Sequence, residues 1–465
     1  MSEDPERVAN PAPATQRDKP VTFRELFSVR EYRALYASLI VNLLGDYLAR
    51  AAITVLVYQQ SNSVLLSAAA FGVSFLPWII GGTLLAALAE RYPYRRVLIL
   101  ADLVRMALIA VLLIPHLPTP VMLLLVLLAG FGTPPAQAAR SALMPLVVGR
   151  DKLSIALATN ATTNQASQVF GYLVGATLAV ALSPRIALAI DVATFAVSAV
   201  VLAVGVRPRP PAHERTKRTH LLRETAEGFR LVFGKETLRS IALVMFVLTM
   251  FAIVPEGLAA AWAAEGNSDS TTQGVDQGLI MAAGPIGFVV GGILINRLFG
   301  TARRNQLIRP LAVLSALILV PALTGPPAPI AAILVALSGI CQGGLSPTLN
   351  SKFALILPHG FRARAYGVMQ TGMQLSQFAA VMVTGLLADR FWLPMVVGLW
   401  SIGGAVVMGL LALRWPSDAQ FAADTEEAAA AQPPDDPAPV APAPPSAPPP
   451  PQVTRSTASV TPERS

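Results

Sequence analysis

Residues 33–58, RALYASLIVNLLGDYLARAAITVLVY, set two opposite charges, Asp46 and Arg50, inside a run that is otherwise almost wholly apolar or small. Coiled as a helix, the run is about 39 Å long, enough to cross a hydrocarbon layer of about 30 Å. Asp46 follows Arg33 by thirteen residues and so sits some ~20 Å along that helix, near or beyond the bilayer centre. A charge at that depth costs at least about 2.5 kcal/mol. Asp46 must therefore face the interior of a helix bundle, find a partner, or take up a proton. Arg50 lies one turn on, where the two side chains can meet.

Similar runs recur at 65–89, 97–115, 119–143, 154–182 and 184–206, then at 239–262, 274–298, 308–324, 328–356, 365–388 and 393–413. With 54% hydrophobic residues, 13% charged residues and a mean hydropathy of +0.56, the bilayer is the natural solvent for this chain. The expected fold is an all-α membrane protein of twelve transmembrane helices, six on each side of a polar stretch.

The connections carry an orientation. Counting odd-numbered connections as outer, these hold only Arg185 and Arg390 as basic residues, beside Glu265, Asp269, Asp276 and Asp389. The inner ones hold Arg91, Arg95, Arg96, Arg150, Lys152, a dense cluster from Arg207 to Arg239, and later Arg297, Arg303, Arg304, Arg309, Lys352, Arg362 and Arg364. The positive-inside rule places both termini in the cytoplasm of a cell whose inner (plasma) membrane the chain spans repeatedly. The net charge of +8 is thus a topology signal and not a nucleic-acid footprint.

This reading divides the chain into a cytoplasmic segment (1–32), a six-helix bundle (33–206), a linker (207–238), a second six-helix bundle (239–414) and a tail (415–465). The first 32 residues have no apolar core before a small-residue cleavage site, so the first crossing is expected to direct insertion itself. In the linker, Leu221, Leu222, Thr225, Phe229, Val232 and Phe233 recur at helical spacing, as in an amphipathic helix on the membrane surface. The tail, with QPPDDPAPVAPAPPSAPPPPQ at 432–452, is too Ala- and Pro-rich to bury a core and is expected to be disordered.

The two halves look duplicated at an offset near 210. Gly81-Gly82 aligns with Gly291-Gly292, Gly130 with Gly339, Gln165 and Gln168 with Gln374 and Gln377, Gly175 with Gly385, and Arg95-Arg96 with Arg303-Arg304. The same offset carries Asp46 onto Glu256, so each half has one carboxylate in its leading helix.

Other chemistry finds little support. The four histidines form no HExxH arrangement, the single Cys341 allows no intrachain disulfide, and no GxxxxGK[ST] loop is present to cradle ATP phosphates. Neither metal, cofactor nor enzymatic activity is expected, and a carrier would have to run on an existing gradient.

The six-plus-six layout, the basic central loop and GGTLLAALAERYPYRR at 81–96 resemble the major facilitator superfamily over roughly residues 30–414. Its helix 2–3 signature, G-x-x-x-D-R-x-G-R-R, is degenerate here, with Glu90 for the aspartate and Pro93 for a glycine. Glu90, Arg91 and Arg95 are the positions carried over as a cytoplasmic gate. Gly45-Asp46 and VLILADLVRMAL, with Asp102 and Arg105, resemble the drug and siderophore exporter branch related to enterobactin exporters. The resemblance implies two pseudo-symmetric bundles rocking about a midplane cavity lined mainly by helices 1, 4, 7 and 10.

Several residues are candidates for that site. Asp46 and Glu256 would exchange protons, with Arg50 beside them; the alternative is a structural Asp46–Arg50 salt bridge with Glu256 in the outer mouth of helix 7. Asp102 and Arg105 would pair with each other or with the gate loop. Asn164, Gln165, Gln168, Gln370, Gln374 and Gln377 would hydrogen-bond substrate or join helices. Asp191 reads as a structural group. The implied activity is proton-driven export of a small amphipathic molecule by a monomer, with no nucleic-acid partner. An uptake carrier, or a membrane sensor or assembly factor on a carrier scaffold, are the rivals.

Overall fold

In a computed structural model, residues 22–79, 92–209, 221–266, 270–358 and 361–430 are described. Glu90 and Arg91, most of the 81–96 signature, and the tail beyond 430 lie outside them.

A short helix, α1 (Phe23–Ser28), opens with a capping box in which Thr22 and Glu25 satisfy each other's backbone N–H. It leads into α2 (Arg30–Ser61), α3 (Val64–Gly72), α4 (Tyr94–Val111), α5 (Thr119–Gly130), α6 (Thr133–Ala181) and α7 (Pro184–Gly205). The linker forms α8 (Leu221–Gly234). The second bundle holds α9 (Glu236–Ala252), α10 (Val254–Gly266), α11 (Ser270–Leu298), α12 (Thr301–Leu317), α13 (Ala328–Ile356), α14 (Arg362–Ala388) and α15 (Leu393–Leu413), and α16 (Asp418–Ala430) follows.

Among the described residues, nine helical stretches are long and apolar enough to cross a membrane. The second, third and fifth crossings complete the expected twelve. The second begins at Val64 and runs into undescribed residues, the third carries Arg95, Arg96, Asp102 and Arg105, and the fifth carries the amide cluster around Asn164. The second is cut short where the described residues end, the third holds four charged side chains, and the amides lower the hydropathy of the fifth.

Sequence expected a loop between the fourth and fifth crossings. The structure instead keeps them helical and breaks α6 at one residue, Gly149, with φ 77° and ψ 170°. That conformation is open to glycine at little cost, and a single residue therefore replaces a connecting loop.

The two bundles meet in a continuous apolar seam. Ala51, Ala68, Phe71 and Tyr172 of the first pack against Leu258, Trp262, Ile280 and Val381 of the second. Within the second bundle α11 and α13 touch backbone to backbone. A Cβ at Gly287 would fall 2.0 Å from the Ala336 carbonyl oxygen, and one at Gly343 would fall 1.9 Å from that of Phe288. Such small-residue contacts are how helices associate where lipid removes the hydrophobic driving force. Outward-facing Leu100, Leu124, Val200, Val204, Ile293 and Leu413 are exposed, as lipid-facing side chains would be.

Among the described residues, hydrogen bonds between the bundles cluster at the end remote from Thr22 and Ala430. Asp389, after α14, accepts from the N–H groups of Val64 (2.7 Å) and Leu65 (3.3 Å) and from the Ser63 hydroxyl (3.0 Å), capping α3 of the opposite bundle. Gln277 of α11 donates to the Ala51 carbonyl (3.1 Å) and to Thr54 Oγ1 (3.0 Å) of α2.

α8 packs on the start of α14, where Glu227 pairs with Arg364 at 2.8 Å. One expectation outside the bundles needs correction. The tail is not disordered from 415. Phe421 of α16 is buried against Trp415, with Lys352 Nζ 4.2 Å from its ring centroid, and Lys235 bridges Asp424 (3.1 Å) and Glu427 (3.0 Å). Its alanines supply helix propensity, and only beyond them does the proline run begin.

Candidate functional site

Asn42, Asp46 and Arg50 follow one another at four-residue steps on α2, but each step turns the side chain by about 40°. The three reach different neighbours. Asn42 donates to Asp102 Oδ1 of α4 at 3.0 Å, and Ser198 of α7 donates to Asp102 Oδ2 at 2.6 Å. Asp46 pairs with Arg105 of α4, whose guanidinium rests 4.5 Å from the Phe195 ring centroid. Arg50 instead faces the rings of Tyr47, Phe71 and Phe75 at 5.6, 5.6 and 6.0 Å.

Among the described residues the alternative Asp46–Arg50 bridge is therefore not formed, and Asp102 and Arg105 make no ion pair with each other. Arg105 comes to Asp46 from another helix, while Arg50 has rotated into an aromatic cage that favours a guanidinium. Asp102, 2% exposed, is held by two neutral donors in the interior of the bundle.

Two residues join this polar core that sequence reading did not count in it. Asp191 of α7, 1% exposed, accepts from the Thr194 hydroxyl at 3.2 Å and lies within electrostatic reach of Asp46 and Arg105. Arg140 of α6 donates to the Leu35 carbonyl (2.7 Å) and to Ser38 Oγ (3.1 Å), with its charge felt at Asp102. Both could have been found by treating every ionisable residue inside an apolar run as a site candidate.

Glu256, in the first turn of α10, lies apart from this core. It borders a cavity of about 150 Å³ that also meets Gln165 and Gln168 of α6, Ser338 and Gln342 of α13, and Gln377 of α14. The cavity thus draws on both bundles. Glu256 is 8% exposed, and its Oε2 has no hydrogen-bond partner. Tyr172 neighbours both Glu256 and Arg50, and its ring meets that of Tyr47 edge-on at 5.3 Å. Glu256 and Asp46 both act electrostatically on Tyr47. The two leading-helix carboxylates therefore flank one cluster, but only Glu256 borders the cavity.

The remaining amides divide. Gln165, Gln168 and Gln377 line the cavity; Gln374 stands behind Gln377 and accepts its amide N–H at 3.3 Å; Asn164 accepts from the Tyr47 hydroxyl at 3.1 Å. Gln370 is exposed and away from the cavity wall, one turn too near the helix start. Arg95 donates to the Leu202 carbonyl at 3.4 Å and also to that of Ala203, closing the last turn of α7.

The sequence profile described as Major Facilitator Superfamily matches residues 35–265 and 257–449. Macrolide efflux protein A of Streptococcus pyogenes is 23% identical over 229 residues, which cover 48% of this chain and 56% of that protein. The chain thus matches about half the length of this curated relative.

Solved structures of the nucleoside transporter NupG (TM-score 0.64, 14% identity, 84% of this chain and 98% of that one) and of the peptide transporter POT in complex with sulfate (0.62, 14%, 85% and 95%) share the fold. So does a bacterial homolog of the human lysosomal transporter Spinster, in an inward-facing and unoccupied conformation (0.59, 15%, 86% and 97%). At these identities the likeness is one of fold.

Proposed function

The chain belongs to the major facilitator superfamily, and from that premise we propose that it exports a small amphipathic molecule from the cytoplasm by proton antiport and alternating access. Glu256 carries the reading: a nearly buried carboxylate with a bare oxygen, on the wall of a cavity shared by both bundles. Such a group can hold a proton in one state and release it in another. With the basic connections taken as cytoplasmic, the Asp389 and Gln277 contacts close the outer end, so the cavity belongs to an inward-facing state.

Asp46 contributes at one remove. Its pair with Arg105, beside buried Asp191, gives the first bundle a charge network next to the Tyr47–Arg50–Tyr172 cluster that meets Glu256. Glu90, Arg91 and Arg95 would serve the cytoplasmic gate, with Arg95 acting through the end of α7. The direction of transport takes support from the macrolide efflux relative. Uptake by the same fold is the second reading, favoured by the nucleoside and peptide transporters among the structural neighbours.

Accumulation of antibiotics, dyes and siderophores in cells with and without the protein tests the reading. The expectation is lower accumulation of at least one compound, reversed by an uncoupler and lost in Glu256→Gln. Raised accumulation would instead identify an importer, and indifference to the uncoupler would remove proton coupling.

A further inference from the structure

We propose that the cavity binds a monovalent organic cation with Glu256 as its counter-ion, so that one cation leaves for each proton that enters. The inference rests on the export reading and narrows it to a substrate charge and a stoichiometry.

Glu256 is the ionisable side chain on a wall that is otherwise neutral. Its Oε1 faces Gly284, where an added Cβ would lie 3.1 Å away, and its Oε2 has no partner. The rest of the wall mixes amides, Gln165, Gln168, Gln342 and Gln377, with apolar Phe288 and Val335. Among the described residues no cation forms an ion pair with Glu256: Arg50 rests on three aromatic rings and its charge reaches Glu256 only through space, beside Tyr172, and Arg105 pairs with Asp46.

A buried carboxylate with no ion pair is unfavourable in its charged form. A proton relieves that cost, and so does an organic cation, but one oxygen pair cannot serve both at once. An anionic cargo would be repelled, and a neutral one would leave the proton where it is. The amides offer hydrogen bonds to an ammonium group, while Phe288 and Val335 suit an apolar body. At about 150 Å³ the cavity is smaller than a typical drug site of about 300–1,000 Å³, so in this state it fits the charged head, with the body extending towards the open end.

The exchange balances. On the cytoplasmic side the carboxyl O–H bond breaks, its electrons stay on the carboxylate and the proton enters the cytoplasm as the cation binds. On the outer side the cation leaves and a proton takes its place. No net charge crosses the membrane, so the pH gradient drives transport and the voltage does not. Cation affinity should also weaken about tenfold per unit of pH wherever the carboxyl is mainly protonated.

Three probes of similar size that carry the charge at one end of a phenyl group separate the charges: benzyltrimethylammonium (cationic), 3-phenylpropanol (neutral) and 3-phenylpropionate (anionic). With the purified full chain in weakly buffered detergent, benzyltrimethylammonium should bind best and release about one proton each. In proteoliposomes its movement should follow a pH gradient with the voltage clamped. Glu256→Gln should abolish proton release and weaken cation binding more than tenfold, while Glu256→Asp keeps both.

Binding of the cation without proton release in the unaltered chain overturns the proposal, and that measurement needs no variant. Equal or better binding of the neutral or anionic probe, or binding of none of the three, overturns it too. These results leave export itself standing if any compound's accumulation still falls in an uncoupler-sensitive way; if none does, the export reading fails as well.

Discussion

Three carboxylates, Asp46, Asp102 and Asp191, share the interior of the first bundle with the guanidiniums of Arg105 and Arg140. Removing one partner of such a pair costs more than the pair contributes, because the other charge stays behind unpaired. Asp46→Asn leaves Arg105 against Phe195, so a loss of about 3 kcal/mol is expected, the low end of the range because both side chains keep some access to water. Adding Arg105→Gln should recover part of that loss. Thermal unfolding in detergent through the double-mutant cycle reads the coupling, and simple additivity would show that the two groups do not depend on each other. At this scale sequence revealed the charges and not their partners. The i+4 spacing pointed Asp46 at Arg50, whereas a helix from elsewhere in the bundle supplies Arg105.

At the scale of elements, α16 ties residues 418–430 to one end of the second bundle. It forms one wall of a cleft of about 640 Å³ with α12 and α13. Its anchor is apolar, Phe421 at 4% exposure, and its trim is ionic, Lys235 with Asp424 and Glu427. Partial burial works against the Lys235 charge, but the hydrogen bonds it donates to its two acidic partners prevail and raise its pKa above the ordinary value of 10.5. This contribution is therefore complete below that value and is lost only as pH rises past the raised one. Phe421→Ala should cost about 3 kcal/mol, enough to free α16 while the bundles stay folded. Faster hydrogen exchange confined to 418–430 is the expected readout, and unchanged protection there would show that Phe421 is no anchor. The alanine content made this helix readable, but the neighbouring prolines masked it.

For the whole molecule, the proposed alternation gives the Asp389 contacts a part in setting which state is populated. Asp389 caps a helix of the opposite bundle, an interaction worth about 1 kcal/mol, so Asp389→Ala should shift the balance towards the alternative state by roughly fivefold. Spin labels at Ser61 and Phe391, near that end on opposite bundles, should then report a longer distance for a larger fraction of molecules. An unchanged distribution would mean that the apolar seam alone holds this end shut.

Composition and run length determined by themselves that this is a twelve-crossing, twofold-repeated membrane protein, because in hydrocarbon each crossing must satisfy its own backbone and so announces itself locally. The offset that aligned Asp46 with Glu256 identified both as intramembrane acids. Only the tertiary structure decided that Glu256 meets the cavity while Asp46 turns inward to Arg105, that Asp191 and Arg140 belong to the same core, and that Gln370 stands outside. Those outcomes depend on the rotation of each helix against its neighbours, which is set by long-range packing such as the glycine contacts of α11 with α13.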